Sequence, residues 1–250
     1  CVRTYNGTTQ IGSDVYSNGW HFKIPDSVKP TFTGLSLTDM NTVARRLLSG
    51  NDFLQIISDI QVNFNNASGA YGSTITGYRA EIVNKKMVVT KNGGSFGIMN
   101  FSGLATIRAY VVDSRGKQSD TKEITINVIE YYAPSFSFSA LRTRGNPNTL
   151  QVLRNARIAP IMQSGKQRNV MSLTFKVAQI GNENFTDDNG SASGNFTSIH
   201  TLTNSAANMA GNYPSNKSFV IIGKLEDKFT SVEFSTTVAT ESVVMSYDKN

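Results

Sequence analysis

The run Ala105-Thr106-Ile107-Arg108-Ala109-Tyr110-Val111 alternates small or apolar residues with polar ones, and Asp113-Ser114-Arg115-Gly116 follows almost at once. Successive side chains of a strand point to opposite faces, so Ala105, Ile107, Ala109 and Val111 share one face while Thr106, Arg108 and Tyr110 share the other. Residues 122–128 repeat the pattern, with Ile124, Ile126 and Val128 set against Glu123, Thr125 and Asn127. One dry face and one wet face belong to antiparallel strands of a sandwich. Between the two runs, Asp113 suits the first position of a type I turn, where its carboxylate takes a backbone N–H two residues on. Gly116 suits the fourth, where positive φ is wanted.

Nearer the start, Asn6-Gly7 sits between two β-forming segments as a hairpin dipeptide. Residues 15–24 read as a strand stopped by Pro25 and Pro30, which fix φ and remove a ladder donor. Further extended runs cover residues 31–37, 55–65, 74–83, 87–91 and 98–101. Residues 39–48 break the pattern: Asp39 reads as an N-cap, and Met40, Val43, Leu47 and Leu48 fall at helical spacing.

An internal repeat decides the architecture. Glu226-Asp227-Lys228-Phe229-Thr230-Ser231 follows one strand and precedes another, as the Asp113 turn does, with Phe229 read as standing where the glycine would be. The two turns lie roughly 110 residues apart, close to the ~100 residues of an immunoglobulin-like sandwich. The expected fold is therefore all-β: tandem immunoglobulin-like antiparallel β-sandwiches. Residues 1–25 are read as the C-terminal strands of a preceding module, 26–132 as one sandwich, and 133–250 as a second with a long insertion loop at about 181–212. Residues 25–30 and 131–134 are the linkers.

Composition narrows the function. Of 250 residues only 17% are charged, which suits solvent faces built from Ser, Thr and Asn. The net charge is +6, yet no run of Lys and Arg exceeds two residues, so nucleic acid is not an expected partner. The single cysteine, Cys1, allows neither an intramolecular disulfide nor a cysteine-based metal site. No 18-residue apolar run is present, and a membrane is not an expected partner. Both ends stop mid-pattern, so the chain is expected to be a piece of a longer polypeptide.

The chemistry-bearing motifs are weak in context, and no catalytic residue is expected. Gly93-Gly94-Ser95-Phe96-Gly97 fits the G-x-S-x-G pattern, but a nucleophile elbow needs a helix after it and a downstream acid and His. The next residues, 98–101, are β-like, and His200 lies in the other module, so the segment reads as a Gly-rich hairpin loop. Asp187 and Asp188 are weak metal candidates in a Ser/Gly/Asn-rich stretch that lacks the alternating ligands of an EF-hand. His21 and His200 are too isolated for zinc. Trp20 offers a ring face for stacking a sugar, with packing as the plainer reading. Arg142, Arg144, Arg154, Arg157, Lys166 and Arg168 give the second module a basic first half. No cofactor is expected.

Three segments carry a family resemblance. Residues Ala109 to Gly116, with Tyr131 and Pro134, resemble the repeated immunoglobulin-like module of minor structural proteins in the tails of siphophages of streptococci and lactococci. Ala67-Ser68-Gly69-Ala70-Tyr71-Gly72-Ser73-Thr74-Ile75 is similar to the same family's mid-domain loop and strand, and residues 225–231 to its last such module. The resemblance implies a virion protein of the tail tip, baseplate or tail fibre, with modules acting as spacers or in adhesion to the host surface. It implies other tail proteins as partners, a homotrimer, and possible contact with host cell-wall polysaccharide. A bacterial cell-surface adhesin and a carbohydrate-binding module of a wall-degrading protein stay open as alternatives.

Overall fold

The computed structural model describes residues 1–16 and 25–241 of the 250-residue chain. At the start, β1 (Tyr5–Asn6) and β2 (Thr9–Gln10) pair antiparallel around Gly7, which takes φ +62°. A 3-10 turn at Asp26–Val28 then leads into the first sandwich. Its elements in order are β3 (Gly34–Asp39), α1 (Thr42–Leu47), β4 (Asp52–Leu54), β5 (Asp59–Asn65), β6 (Ile75–Ile82), β7 (Met87–Val89), β8 (Gly94–Ile98), β9 (Gly103–Asp113) and β10 (Lys122–Ile129). One sheet runs β3-β5-β8 and the other β4-β10-β9-β6-β7. The pairs are antiparallel except for β4, which runs parallel to β10.

The alternation of β9 and β10 is what builds this sandwich. Ile107, Ala109, Val111, Ile126 and Val128 turn inward and meet Ile60, Val62 and Phe64 of β5. Each fully buried Val, Ile or Phe contributes roughly 1.5–3 kcal/mol. The Gly-rich segment is no loop. Gly93 makes the turn at φ +73°, and Gly94–Ile98 is β8, with Phe96 in the core. Glycine holds an inner position there because a Cβ on Gly94 would lie 2.7 Å from Val89 Cγ1. Residues 99–101 are not strand, although Met99 and Phe101 are buried.

The helix starts later than the sequence suggests. Asp39 accepts from the Asn41 amide at 2.9 Å, and Asn41 is the N-cap, its Oδ1 accepting from Val43 and Ala44, both at 3.0 Å. The inward face is Ala44, Leu47 and Leu48, while Met40 and Val43 are exposed.

The second sandwich comprises β11 (Ser135–Thr143), β12 (Asn146–Arg157), β13 (Met162–Gln163), β14 (Lys166–Gln167), β15 (Met171–Gln179), β16 (Thr186–Asp188), β17 (Gly194–Phe196), β18 (Thr201–Asn208), β19 (Phe219–Glu226) and β20 (Ser231–Val238). Here β11-β12-β18 faces β16-β15-β19-β20, with β17 also on β15 and β13–β14 a small hairpin apart. The layout matches the first: two early strands and the one before the closing hairpin form one sheet, and the closing hairpin anchors the other. Phe136, Phe138 and Phe175 fill the space opposite Gly223, where a Cβ would come within 2.7–2.9 Å of their rings.

Residues 181–212 are therefore not an insertion. They supply β16, β17 and β18, and without β18 the sheet opposite would lose its third strand. A register shift opposite Arg154–Ala156, with Asn204 at φ +45°, puts Leu202 and Ala207 on the same side although they are an odd number of residues apart.

Candidate functional site

The two Asp turns sit where the chain enters each sandwich, and each grips the segment that leads in. At the first, Asp113 is closed off from solvent. Its Oδ1 accepts from the Arg115 and Lys117 amides, both at 3.0 Å. Its Oδ2 accepts from Arg115 Nη2 at 2.6 Å and Ser73 Oγ at 3.1 Å. The same Arg115 Nη2 donates to Val28 O at 2.7 Å, so the guanidinium ties the turn to the incoming chain. The Arg115 guanidinium, with help from the Lys117 and Arg115 amides and against burial, holds the Asp113 carboxyl down to about 2. Gly116 takes φ +75° as the turn requires.

At the second turn, Asp227 Oδ1 accepts from the amides of Phe229 at 2.8 Å and Thr230 at 3.0 Å. Its Oδ2 accepts from Asn169 Nδ2 at 3.0 Å, and the Tyr131 hydroxyl donates to Oδ1 at 3.4 Å. Burial first, then the Asp227 charge and hydrogen bond, push the Tyr131 phenol well above its usual value. The amide pattern corrects the alignment of the two turns. Phe229 corresponds to Arg115, each giving its N–H to the aspartate two residues back, and Thr230 stands in the place of Gly116. Both residues then reach for the incoming linker, Arg115 by a hydrogen bond and Phe229 by an edge-on contact with Tyr131, ring centres 5.2 Å apart at 73°.

Around that contact lies an apolar cluster drawn from both sandwiches. Ala44, Leu48 and Leu54 come from the first, Ala159 and Ile161 from the second, and Tyr131 from the linker. Gln163 of β13 crosses the joint, its Nε2 donating to Ser49 O and Ser49 Oγ at 3.1 Å and to Asp52 Oδ2 at 3.4 Å. Asn169, wholly buried, also donates to Ala159 O at 2.9 Å and accepts from the Lys228 amide. Tyr132 lies beside it, under the Arg157 guanidinium at 4.4 Å, with its hydroxyl donating to Ile158 O. A cleft of about 510 Å³ opens next to this pair, lined also by Glu130 and His200.

The residues singled out from sequence do not converge. Trp20 and His21 lie outside the described residues. Asp187 is exposed and faces Lys176 at 3.7 Å. Asp188 is buried on the opposite face of β16, accepting from the Ala210, Gly211 and Gly190 amides and from the Tyr213 hydroxyl. Burial alone raises this carboxyl, but those hydrogen bonds outweigh it and leave it below the usual carboxylate value. Its oxygens hold a loop. No cluster of three or more His, Cys, Asp or Glu side chains gathers among the described residues. Ser95 gives its hydroxyl to Asp59, far from His200 in the other sandwich.

Of the six basic residues in the second sandwich's first half, Arg144, Lys166 and Arg168 are exposed, whereas Arg154 and Arg142 turn inward. Arg154, only 5% exposed, donates to the Ser191, Ala192 and Ser205 carbonyls. Arg142 donates to the carbonyls of Pro147, Tyr213, Pro214, Lys217 and Ala239. Both are internal ties. The joint, missed from sequence, had one trace there: an aromatic residue, Phe229, in a turn otherwise built of polar residues.

No curated protein matches the chain. Among solved structures it is similar to the three N-terminal domains of the bacteriophage RB49 highly immunogenic outer capsid protein, at 12% identity and TM-score 0.41, covering 84% of this chain and 70% of that one. It is similar to the fibronectin(III)-like modules of Clostridium thermocellum CbhA, at 12% identity and TM-score 0.30, over 86% and 99% of the two chains. All 250 residues match one protein family, described as "Siphovirus protein of unknown function (DUF859)", and the chain belongs to it.

Proposed function

We propose that this siphovirus protein is a non-catalytic structural element of the virion, a spacer of immunoglobulin-like modules in the tail tip, baseplate or tail fibre. The observation that carries the reading is the joint: two sandwiches in tandem are bound by a shared apolar cluster and by Gln163. Asp113, Asp188, Asp227, Arg142 and Arg154 all spend their hydrogen bonds on fastening a loop, a turn or a linker. Such a part transmits position between other tail proteins, which are its partners in this reading. A homotrimer, as in a fibre, is the assembly it carries, and contact with host cell-wall polysaccharide is a further role of the same modules.

Immunogold labelling of virions with an antibody against this chain tests the location. Label on the tail or its tip is the expected result, and label confined to the head overturns the reading. Light scattering on the purified protein tests the assembly, where a mass of three times 27.3 kDa is expected and a monomer removes the trimer.

A further inference from the structure

We infer that the joint locks the two sandwiches into one rigid body, which keeps a fixed angle and unfolds as a unit. Modules joined by a linker move relative to one another by default, unless the interface between them is substantial and apolar. The connection from Ile129 to Ser135 is short, and its own Tyr131 and Pro134 are buried. Bending it would expose Leu54, Ala159 and Ile161, all at 0% exposure. It would also strip the Gln163 amide of Ser49 and Asp52, and deprive Asp227, 7% exposed, of the Tyr131 hydroxyl. A buried polar group left without its partner costs the full penalty of its lost hydration, which adds to the apolar area that bending would expose.

The lock also has a direction. The first sandwich supplies the seat, from α1 and β4. At the equivalent place after β11, the second sandwich has only the tight connection to β12. Among the described residues, that connection offers no counterpart of α1 and β4. The coupling described therefore runs from the second sandwich onto the seat in the first.

The test uses the full chain with Cys1→Ser and two exposed positions, Thr76→Cys and Glu233→Cys, carrying nitroxide labels for pulsed electron-electron distance measurement. One narrow distance distribution is expected, and a broad or bimodal one overturns the inference. Phe229→Ala and the milder Gln163→Ala should each broaden it. A distribution that stays equally narrow in both variants overturns the lock assigned to these residues. Calorimetry reads the same coupling independently: one endotherm is expected for the parent and two for Phe229→Ala, while two separate endotherms in the parent overturn it.

Discussion

The Asp113 and Asp227 turns share a backbone device and differ in what they do with it. In each, a carboxylate collects two amides of its own turn and so freezes the loop that closes the last hairpin. The residue two places on then reaches the incoming chain. Arg115 does so with charge, from a partly exposed guanidinium paired with a buried carboxylate, while Phe229 does so with a ring against a dry cluster. The lesson is that one position in a repeated turn sets the kind of joint: polar and local at the first, apolar and shared between modules at the second. A hydrogen bond to one carbonyl is directional and local, whereas apolar area removed from water adds up.

Four experiments press on that difference, beginning with the largest effect. Ile161→Ala empties a fully buried position in the second joint and is expected to cost about 3 kcal/mol in urea unfolding. A loss under about 1 kcal/mol would show that the cluster is not holding the joint. Asp227→Ala leaves the Asn169 amide, two turn amides and the Tyr131 hydroxyl without an acceptor, for an expected loss of about 2 kcal/mol.

The third experiment uses pH. The Asp113 carboxyl is held to about 2, below the ~3.9 of an unfolded chain, so its contribution is fully present above pH ~4. It is lost as the pH falls from there through about 2. Melting temperatures recorded over that window should fall less steeply for Asp113→Asn than for the parent, and equal slopes would remove Asp113 as a cause. Arg115→Lys is the smallest change, because it keeps a positive charge beside the buried Asp113 carboxylate and gives up only part of the tie to Val28 O. It should lower the melting temperature less than either substitution at the second joint, and an equal drop would erase the contrast between the two.

Much of the fold was legible because its central strands are regular. Residues 105–111 of β9 and 123–128 of β10 keep strict alternation, and a period of two needs no tertiary information to read. β18 was not legible for the opposite reason. Its inward residues are Leu202, Ser205 and Ala207, small or polar for the most part, and the bulge at Asn204 breaks the period between them. β8 hid behind its glycines: an inner position filled by the absence of a side chain carries no hydrophobic signal. The helix was found, but Asp39 masked its start, because two capping side chains in series both resemble the first residue of a helix.

The joint was the least legible part. Ala44, Leu54, Tyr131, Ala159 and Ile161 are spread over both halves of the sequence, and nothing local distinguishes them from ordinary core residues. Aligning Phe229 with Gly116 hid the one clue, although counting two residues on from each aspartate already pairs Phe229 with Arg115, as the amides that reach the aspartates then show. The arginines misled for a related reason. Sequence gives their charge, but their bonds to buried carbonyls appear only once the strands are placed.

Arg142 has a consequence for tension. It sits near the end of β11 and bonds the carbonyl of Ala239, just past the end of β20, together with four other carbonyls around the same pole. A pull applied beyond Glu241 meets the Glu241 amide on Ser215 O, the Thr240 amide on Ser218 Oγ and then this clasp before it reaches the ladder between β19 and β20. The Ala239 bond takes that load, the other four anchor Arg142 at the pole, and part of the force passes to the strand by which the chain entered. Peeling of β20 from its C-terminal side, the easy route for unzipping a hairpin, has to break these ties first.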